Sequence, residues 1–174
     1  MAQKVLEIER CDRYRAPFVL EGGAIHVDGQ GTLITTEECL LNRNRNPDLS
    51  REQIERLLKR YLHVDQVVWL GRGVYLDETD GHVDNICAYV KPAEVVLTWT
   101  DDRSDPQYEI SREAYERLMQ ARDARGRRFK VHKLHQPRPL EMTRAEAEGD
   151  EAEEGTQPRE AGARRAAAWR SVRW

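Results

Sequence analysis

The feature that most constrains this chain is an internal repeat with a period of about 61 residues. The tripeptide Ser50-Arg51-Glu52 returns as Ser111-Arg112-Glu113, and Glu21 precedes His82 by the same interval. Two extended runs follow this interval approximately, residues 31–36 matching 94–100 and residues 67–70 matching 128–131. Because repeated units of this size bury their apolar faces against neighbouring units, we expect two modules to belong to a larger set.

Each module is predicted to run strand, strand, helix, strand. The β-branched runs are short and bounded by Gly, Asn, Asp and Pro, whereas the Ser-initiated stretches carry apolar residues at helical spacing. Ser50 and Ser111 are the expected N-caps, each with an acidic residue in the first turn that follows. The predicted apolar faces comprise Ile54, Leu57, Leu58, Tyr61 and Leu62 in the first helix, and Tyr115, Leu118 and Met119 in the second.

A second feature is the pair His82 and Asp84 in the segment Thr79–Asn85. On a strand, side chains alternate faces, so both would point the same way while Val83 packs behind them. An imidazole beside carboxylates suits proton transfer near neutral pH. Taken alone, however, a His-x-Asp pair is more often a structural hydrogen bond or a surface ion pair. A metal site has less support, because two such ligands leave tetrahedral coordination incomplete and no Cys-x-x-Cys or His-x-x-x-His motif completes it.

Composition narrows the class of protein. Of the 174 residues, 39% are hydrophobic and 34% are charged, and the net charge is −3; the mean hydropathy is −0.80. This hydrophobic content is low for a chain that has to form a stable core by itself. The negative charge argues against a general nucleic-acid partner, and neither a signal peptide nor a stretch long enough to cross a membrane is evident. We expect a soluble, cytoplasmic protein.

The three cysteines, Cys11, Cys39 and Cys87, are an odd number with no disulfide or zinc spacing, which suits a reducing compartment. Cys87 follows the His82 motif closely enough to be considered as a nucleophile. On a regular strand, however, Cys87 would lie an odd number of residues from His82 and would therefore point to the opposite face. We therefore expect Cys87 to be a core residue.

The last part of the chain changes in character. An acidic run is followed by arginines among alanines, the acidic members being Glu146, Glu148, Asp150, Glu151, Glu153 and Glu154. Charge runs of this kind are usually solvated and mobile. Residues 143–174 are predicted to form a charged, disordered tail.

Five blocks of sequence carry a resemblance: F-V-L-E-G-G-A-I-H-V-D-G at 18–29, T-T-E-E-C-L-L-N at 35–42, D-E-T-D-G-H-V-D-N at 77–85, L-T-W-T-D-D at 97–102 and D-P-Q-Y-E-I at 105–110. One tripeptide would mean little, but long blocks in this order are specific. Together they resemble the agmatine deiminases, over about residues 2–162.

The resemblance implies the pentein fold, an α/β propeller in which five ββαβ-type modules surround a central active site. The repeat then corresponds to about two modules, residues 17–75 and 76–142, of a partial pentein domain over residues 1–142. The implied reaction is hydrolysis of agmatine to N-carbamoylputrescine and ammonia, in putrescine biosynthesis. The implied partner is this small guanidine substrate, with a homo-oligomer as one option for assembly. No metal or organic cofactor is implied.

Three residues match functional positions of the family. His82 matches the general acid/base, which would protonate departing ammonia and then activate the water that resolves a covalent thiouronium intermediate. Glu21 matches the carboxylate that orients this histidine and stabilises its charged form. Asp84 matches a carboxylate that binds the planar, cationic guanidinium through charge-assisted hydrogen bonds.

Two motifs of the family are missing from this sequence: an upstream W-x-R-D segment with a second guanidinium-binding aspartate, and the nucleophilic cysteine of a G-G-G-N-I-H-C segment. The resemblance also stops near Gly162, before an ending rich in Arg, Ala and Trp. The chain is thus expected to be an internal fragment with a divergent C-terminal tail, inactive alone because covalent catalysis lacks its thiolate.

Two alternatives remain open at this point. The chain is either part of a deiminase, acting on agmatine or on free or peptidyl arginine, or a non-catalytic guanidine-binding or assembly fragment. A second H-x-D pair, His26 and Asp28, is expected to have a structural role in the turn at Gly29–Gly31.

Overall fold

The computed structural model describes residues 2–137, 140–141 and 164–165. Its helices are α1 (Ala2–Glu9), a 3-10 turn (Gly22–Ala24), α2 (Glu37–Leu40), α3 (Arg51–Leu62), α4 (Val83–Ile86) and α5 (Gln107–Gln120). Its strands are β1 (Ile25–Val27), β2 (Thr32–Thr36), β3 (Gln66–Leu70), β4 (Cys87–Lys91), β5 (Glu94–Trp99), β6 (Lys130–His135), β7 (Leu140–Glu141) and β8 (Arg164–Arg165). The tail predicted over 143–174 lies outside the described residues, apart from β8.

The two main sheets repeat one topology. The first has the order β1-β2-β3 and the second β4-β5-β6; in each, the first pair is antiparallel and the second pair parallel. Ile25 opens β1 opposite Thr35, and Cys87 opens β4 opposite Leu97. A helix joins the second strand to the third in both cases, α3 in the first module and α5 in the second. The predicted strand, strand, helix, strand order is confirmed.

The first of the two predicted N-caps is confirmed and the second is wrong. Ser50 caps α3 in a capping box, accepting the backbone N–H of Gln53 while the Gln53 side chain accepts the backbone N–H of Ser50. Helix α5 begins a turn earlier than expected, at Gln107, whose N–H is accepted by the Asp105 carboxylate. Ser111 therefore lies inside the helix, where its buried hydroxyl accepts a hydrogen bond from the Gln107 side chain at 3.0 Å.

Two hydrophobic clusters make up the core. One packs α3 on the first sheet, with Ile54 and Leu58 fully buried. The other packs α5 on the second sheet through Leu118. Tyr61 and Met119, predicted on these apolar faces, are instead exposed. The second cluster also contains Ile34, Val68 and Leu70 of the first sheet, so the two modules share a core.

Cys87 lies in this shared cluster, as predicted, with 1% of its surface exposed. Burial raises the pKa of its thiol to about 12. A thiol of this kind is inert as a nucleophile.

Further contacts join the modules at the loop between α5 and β6. The N–H of Ala124 donates to Thr32 Oγ1 at 3.0 Å, and the Arg127 guanidinium donates to the Gln30 side chain at 2.8 Å. Within the first module, the Asp28 carboxylate accepts the N–H groups of Gln30 and Thr32, which confirms its expected role in the turn.

His26 differs from the prediction, since its partner is not in the turn. Its Nδ1 accepts the backbone N–H of Tyr89 at 2.8 Å, and the two rings stack with centroids 5.7 Å apart. His26 thus connects β1 to β4 across the two modules. Among the described helices, none is both long and apolar enough to span a bilayer.

Candidate active site

In both modules, a candidate site residue lies immediately before a short helix. Glu21 precedes the 3-10 turn and His82 precedes α4, and each short helix leads directly into the first strand of its sheet. Glu21 Oε2 and His82 Nε2 lie 2.6 Å apart, although 61 positions separate the residues in sequence. The repeat thus brings equivalent positions of consecutive modules together as a carboxylate–imidazole pair.

The charge of Glu21 decides which imidazole nitrogen carries the proton. The hydrogen bond with His82 lowers the pKa of the Glu21 carboxyl; burial opposes this effect and the Arg45 guanidinium adds to it. A carboxylate only accepts hydrogen bonds, so His82 Nε2 donates to Glu21. The other nitrogen, Nδ1, faces Gly23, where an added Cβ would collide with it.

The prediction that His82 and Asp84 lie on a strand is wrong. His82 ends a turn, Val83 begins α4, and β4 starts only after that helix. The Asp77 carboxylate accepts the backbone N–H groups of Gly81 and His82, each at 3.3 Å. Such local bonds from side chain to backbone favour a turn over an extended strand.

The two side chains nevertheless face one glycine. A Cβ on Gly23 would lie 2.9 and 3.0 Å from the Asp84 carboxylate oxygens as well as colliding with His82 Nδ1. Val83 packs behind them in the core, as predicted, with 0% of its surface exposed. His82, Glu21 and Asp84 thus lie around one stretch of backbone. The segment that carries His82 and Asp84 is a turn and a short helix, however, and not the predicted strand.

The Asp84 carboxylate is available to a ligand. The residue is exposed, and among the described residues this carboxylate has no hydrogen-bond or ion-pair partner. Glu21, by contrast, directs its Oε2 atom at both His82 and Arg45. The site therefore offers one unpaired anion beside an imidazole whose second nitrogen is open.

Sequence reasoning missed Arg45, which fixes Glu21 in place. Its guanidinium binds Glu21 Oε2 through Nε at 2.9 Å and Nη2 at 2.8 Å, and Nη2 also donates to the carbonyl of Thr79 at 2.7 Å. Its Nη1 lies 3.4 Å from the Asp80 carboxylate. Only 9% of the Arg45 side chain is exposed. Arg45 thus links Glu21 of the first module to the turn that leads into His82.

The local sequence around Arg45 carries only a weak sign of this role. Arg45 lies in the polar run N-R-N-R-N after the buried end of α2. Nothing in that run indicates which of its two arginines is buried.

Cys39 is a second residue that the sequence did not single out. Its sulfur, a Glu21 carboxylate oxygen and a His82 ring nitrogen all lie within 4.8 Å of one another. Cys39 is fully buried in α2, whose N-cap Thr36 accepts the Cys39 N–H. Burial raises the pKa of its thiol to about 11, so the free thiol stays protonated near neutral pH.

Comparison with known proteins identifies the family. The family model of the Porphyromonas-type peptidyl-arginine deiminases matches residues 1–162. The chain belongs to this family. The match covers the range over which the five sequence blocks predicted a deiminase, and that prediction is confirmed.

Relatives within this deiminase family are closely similar. The agmatine deiminase of Pseudomonas fluorescens is 62% identical over 160 residues, which are 91% of this chain and 44% of that protein. The agmatine deiminase of Stutzerimonas stutzeri is 60% identical over 161 residues, 92% of this chain and 44% of that protein. The chain therefore spans about half the length of the curated relatives it matches.

Solved structures of the deiminases establish the fold. The agmatine deiminase of Enterococcus faecalis superposes with a TM-score of 0.74 at 51% identity, covering 81% of this chain and 39% of that structure. The two repeated sheets are thus modules of the pentein fold, as predicted. The functional roles of His82, Glu21 and Asp84 stay predictions.

Proposed function

We propose that the whole protein hydrolyses agmatine to N-carbamoylputrescine and ammonia, and that this chain supplies the acid/base pair and part of the guanidinium site. The observation that carries the proposal is the 2.6 Å contact between Glu21 and His82 beside the unpaired Asp84 carboxylate. Membership of the deiminase family, and relatives named agmatine deiminase, support this choice of reaction.

Asp84 is the group proposed to hold the substrate. A guanidinium is planar, permanently cationic and rich in N–H donors, so a carboxylate with two unpaired oxygens binds it through a fork of charge-assisted hydrogen bonds. The exposed Asp84 carboxylate lies against Gly23, which has no side chain to fill that space. A bound guanidinium would there contact both Asp84 and the open Nδ1 of His82.

His82 is the proposed acid/base and Glu21 its positioning partner. In its charged form His82 would give a proton to the departing ammonia, and in its neutral form it would take a proton from the attacking water. The ionised Glu21 fixes the ring through its hydrogen bond with Nε2. Added over both steps, agmatine and one water give N-carbamoylputrescine and ammonia.

The nucleophile of the family's chemistry is not among the buried cysteines. Cys39 and Cys87 are enclosed, with thiol pKa values raised to about 11 and about 12, and a reactive cysteine needs its thiolate form. The purified chain is therefore expected to bind guanidines without turning them over.

A substrate of the arginine type is the second candidate, because the matching family model is named for peptidyl-arginine deiminases. Free arginine has a carboxylate that agmatine lacks, and a selective site would meet it with a cation. Arg45, the cation that contacts Glu21, is already bonded to Glu21 and to the Thr79 carbonyl. That engagement favours agmatine.

Two measurements on the purified chain test these proposals. Calorimetric titration with agmatine and with arginine should give micromolar binding of agmatine and weaker binding of arginine. Ammonia release from agmatine should be absent. If neither guanidine binds, the proposed site is wrong. If the chain turns agmatine over and His82→Ala abolishes that turnover, the expectation that the chain lacks a nucleophile is wrong. Cytoplasmic location and homo-oligomerisation remain predictions.

A further inference from the structure

We propose that Glu21, Cys39 and His82 form a binding site for a thiophilic divalent cation such as Zn²⁺, which would hold the catalytic pair in an inactive arrangement. The proposal goes beyond deiminase activity, since cation binding needs only these three side chains. The three residues belong to the loop before the 3-10 turn, to α2 and to the turn before α4, so their proximity arises only in the folded chain.

The three candidate ligand atoms form a compact cluster. A carboxylate oxygen, a sulfur and an imidazole nitrogen all lie within 4.8 Å of one another. With the metal–ligand distances usual for zinc, tetrahedral ligands are roughly 3.3–3.7 Å apart. No separation among the three ligand atoms exceeds 4.8 Å, so none would have to close by more than roughly 1.5 Å to reach this range.

The carboxylate of Glu21 can bind a cation without releasing Arg45. Both Arg45 nitrogens and the His82 nitrogen contact Oε2. Among the described residues, Oε1 has no hydrogen-bond partner. A cation on Oε1 would therefore displace only the hydrogen bond between Glu21 and His82, while the Arg45 contact keeps the carboxylate in place.

Charge around the cluster favours a cation. The charged groups that act on the Cys39 thiol are the guanidinium of Arg45 and three carboxylates, those of Glu21, Asp77 and Asp80. One positive and three negative charges leave a local charge of −2; the thiolate that forms on binding makes it −3, which a divalent cation reduces to −1. Binding would also replace the Cys39 thiol proton, which passes to the buffer, and would create a thiolate–metal bond.

Access and chemistry both suit zinc. Cys39 is enclosed, whereas 40% of the Glu21 side chain and 16% of the His82 side chain are exposed, so the cluster opens to solvent on one side. A water there would complete four-coordination. Mixed thiolate, imidazole and carboxylate ligands favour Zn²⁺ and its analogue Co²⁺ over Mg²⁺ or Ca²⁺. Because the cation occupies a His82 nitrogen, proton transfer by His82 would stop.

Titration of the metal-free purified chain with Co²⁺ tests the proposal. One Co²⁺ per chain should produce a near-ultraviolet thiolate-to-cobalt absorption, and Zn²⁺ should remove it by competition. Cys39→Ser should abolish this absorption, and Glu21→Gln should weaken Co²⁺ binding at least tenfold. The matched control is Cys11→Ser, which removes the exposed thiol and should change neither quantity. Circular dichroism confirms that each variant is folded.

Three outcomes would overturn the cation site: no thiolate absorption in the wild-type chain, absorption that survives in folded Cys39→Ser, or absorption lost in Cys11→Ser. If Cys39→Ser fails to fold, the half-exposed Glu21→Gln decides the matter, and unchanged Co²⁺ affinity there refutes the site. Agmatine binding is measured separately. A chain that binds Co²⁺ through Cys39 but binds no agmatine would refute the proposed function and leave the cation site standing.

Discussion

Glu21 and His82 occupy equivalent positions in consecutive modules, each immediately before a short helix that leads into the first strand of its sheet. Their side chains meet at 2.6 Å. The repeat thus supplies two copies of one backbone position, and the sequence places an acid in one copy and an imidazole in the other. The proposed proton-transfer pair thus combines side chains from equivalent positions of two modules.

Gly23 should not tolerate a methyl group. Its Cβ would collide with His82 Nδ1 and lie 2.9 Å from an Asp84 carboxylate oxygen, so Gly23→Ala should displace both side chains. We expect agmatine affinity to fall at least about tenfold, or about 1.4 kcal/mol. Gly22→Ala is the matched control, because a Cβ there meets nothing within 4 Å. Calorimetric titration measures both variants, and equal affinities would contradict the assignment of this site.

Removing the charge of Asp84 should weaken substrate binding without unfolding the chain. Hydrogen bonds to charged groups contribute about 1.5–3 kcal/mol, so Asp84→Asn should lower agmatine affinity by about tenfold or more. Asp65→Asn provides the comparison, since Asp65 is an exposed aspartate at the opposite end of the first sheet from the candidate site. Agmatine affinity that survives in Asp84→Asn would show that the guanidinium binds elsewhere.

Arg45 should contribute stability as well as positioning. Arg45→Met leaves Glu21 and the Thr79 carbonyl without their shared donor, and we expect a loss of about 1–3 kcal/mol in the free energy of unfolding. The lower end is favoured, because solvent screens the half-exposed Glu21. Arg45→Lys keeps the charge and should recover part of the loss. Urea denaturation measures both, against Arg60→Met on the exposed side of α3. Equal midpoints for Arg45→Met and Arg60→Met would rule out this contribution.

Asp123 should stabilise the fold in a pH-dependent way. Burial alone would raise the pKa of its carboxyl, but hydrogen bonds from the Arg127 backbone and side chain and from the Arg125 backbone lower it below the ordinary value. A carboxyl with a lowered folded-state pKa adds stability above pH about 4, and loses that contribution as the pH falls through the folded-state pKa.

Asp123→Asn should therefore cost about 1–3 kcal/mol of unfolding free energy at pH 7. The difference from wild type should shrink as the pH falls below about 4. Urea denaturation at several pH values measures it, with the exposed Asp48→Asn as control. A difference that stays constant with pH would mean that packing, rather than ionisation, causes the loss.

Local patterns predicted the framework well and the backbone around the site poorly. The repeat gave the order of strands in both sheets, and Ser50 gave the start of α3, because periodicity and capping depend on neighbouring residues. The same logic failed at Ser111, where the Asp105 carboxylate starts the helix one turn earlier. It failed again at His82, where the Asp77 carboxylate stabilises a turn in place of a strand.

Sequence patterns alone were enough to predict the family, the repeated order of strands and helices, and His82, Glu21 and Asp84 as the candidate site residues. The folded structure was needed to show that Arg45 holds Glu21 and that the Cys39 sulfur lies beside Glu21 and His82. The contact between Arg45 and Glu21 joins two loops of the first module, whereas the proximity of Cys39 to His82 joins the two modules on their shared core. Periodicity along the chain carries no signal for either contact, because the partners are distant in sequence and meet only in the folded chain.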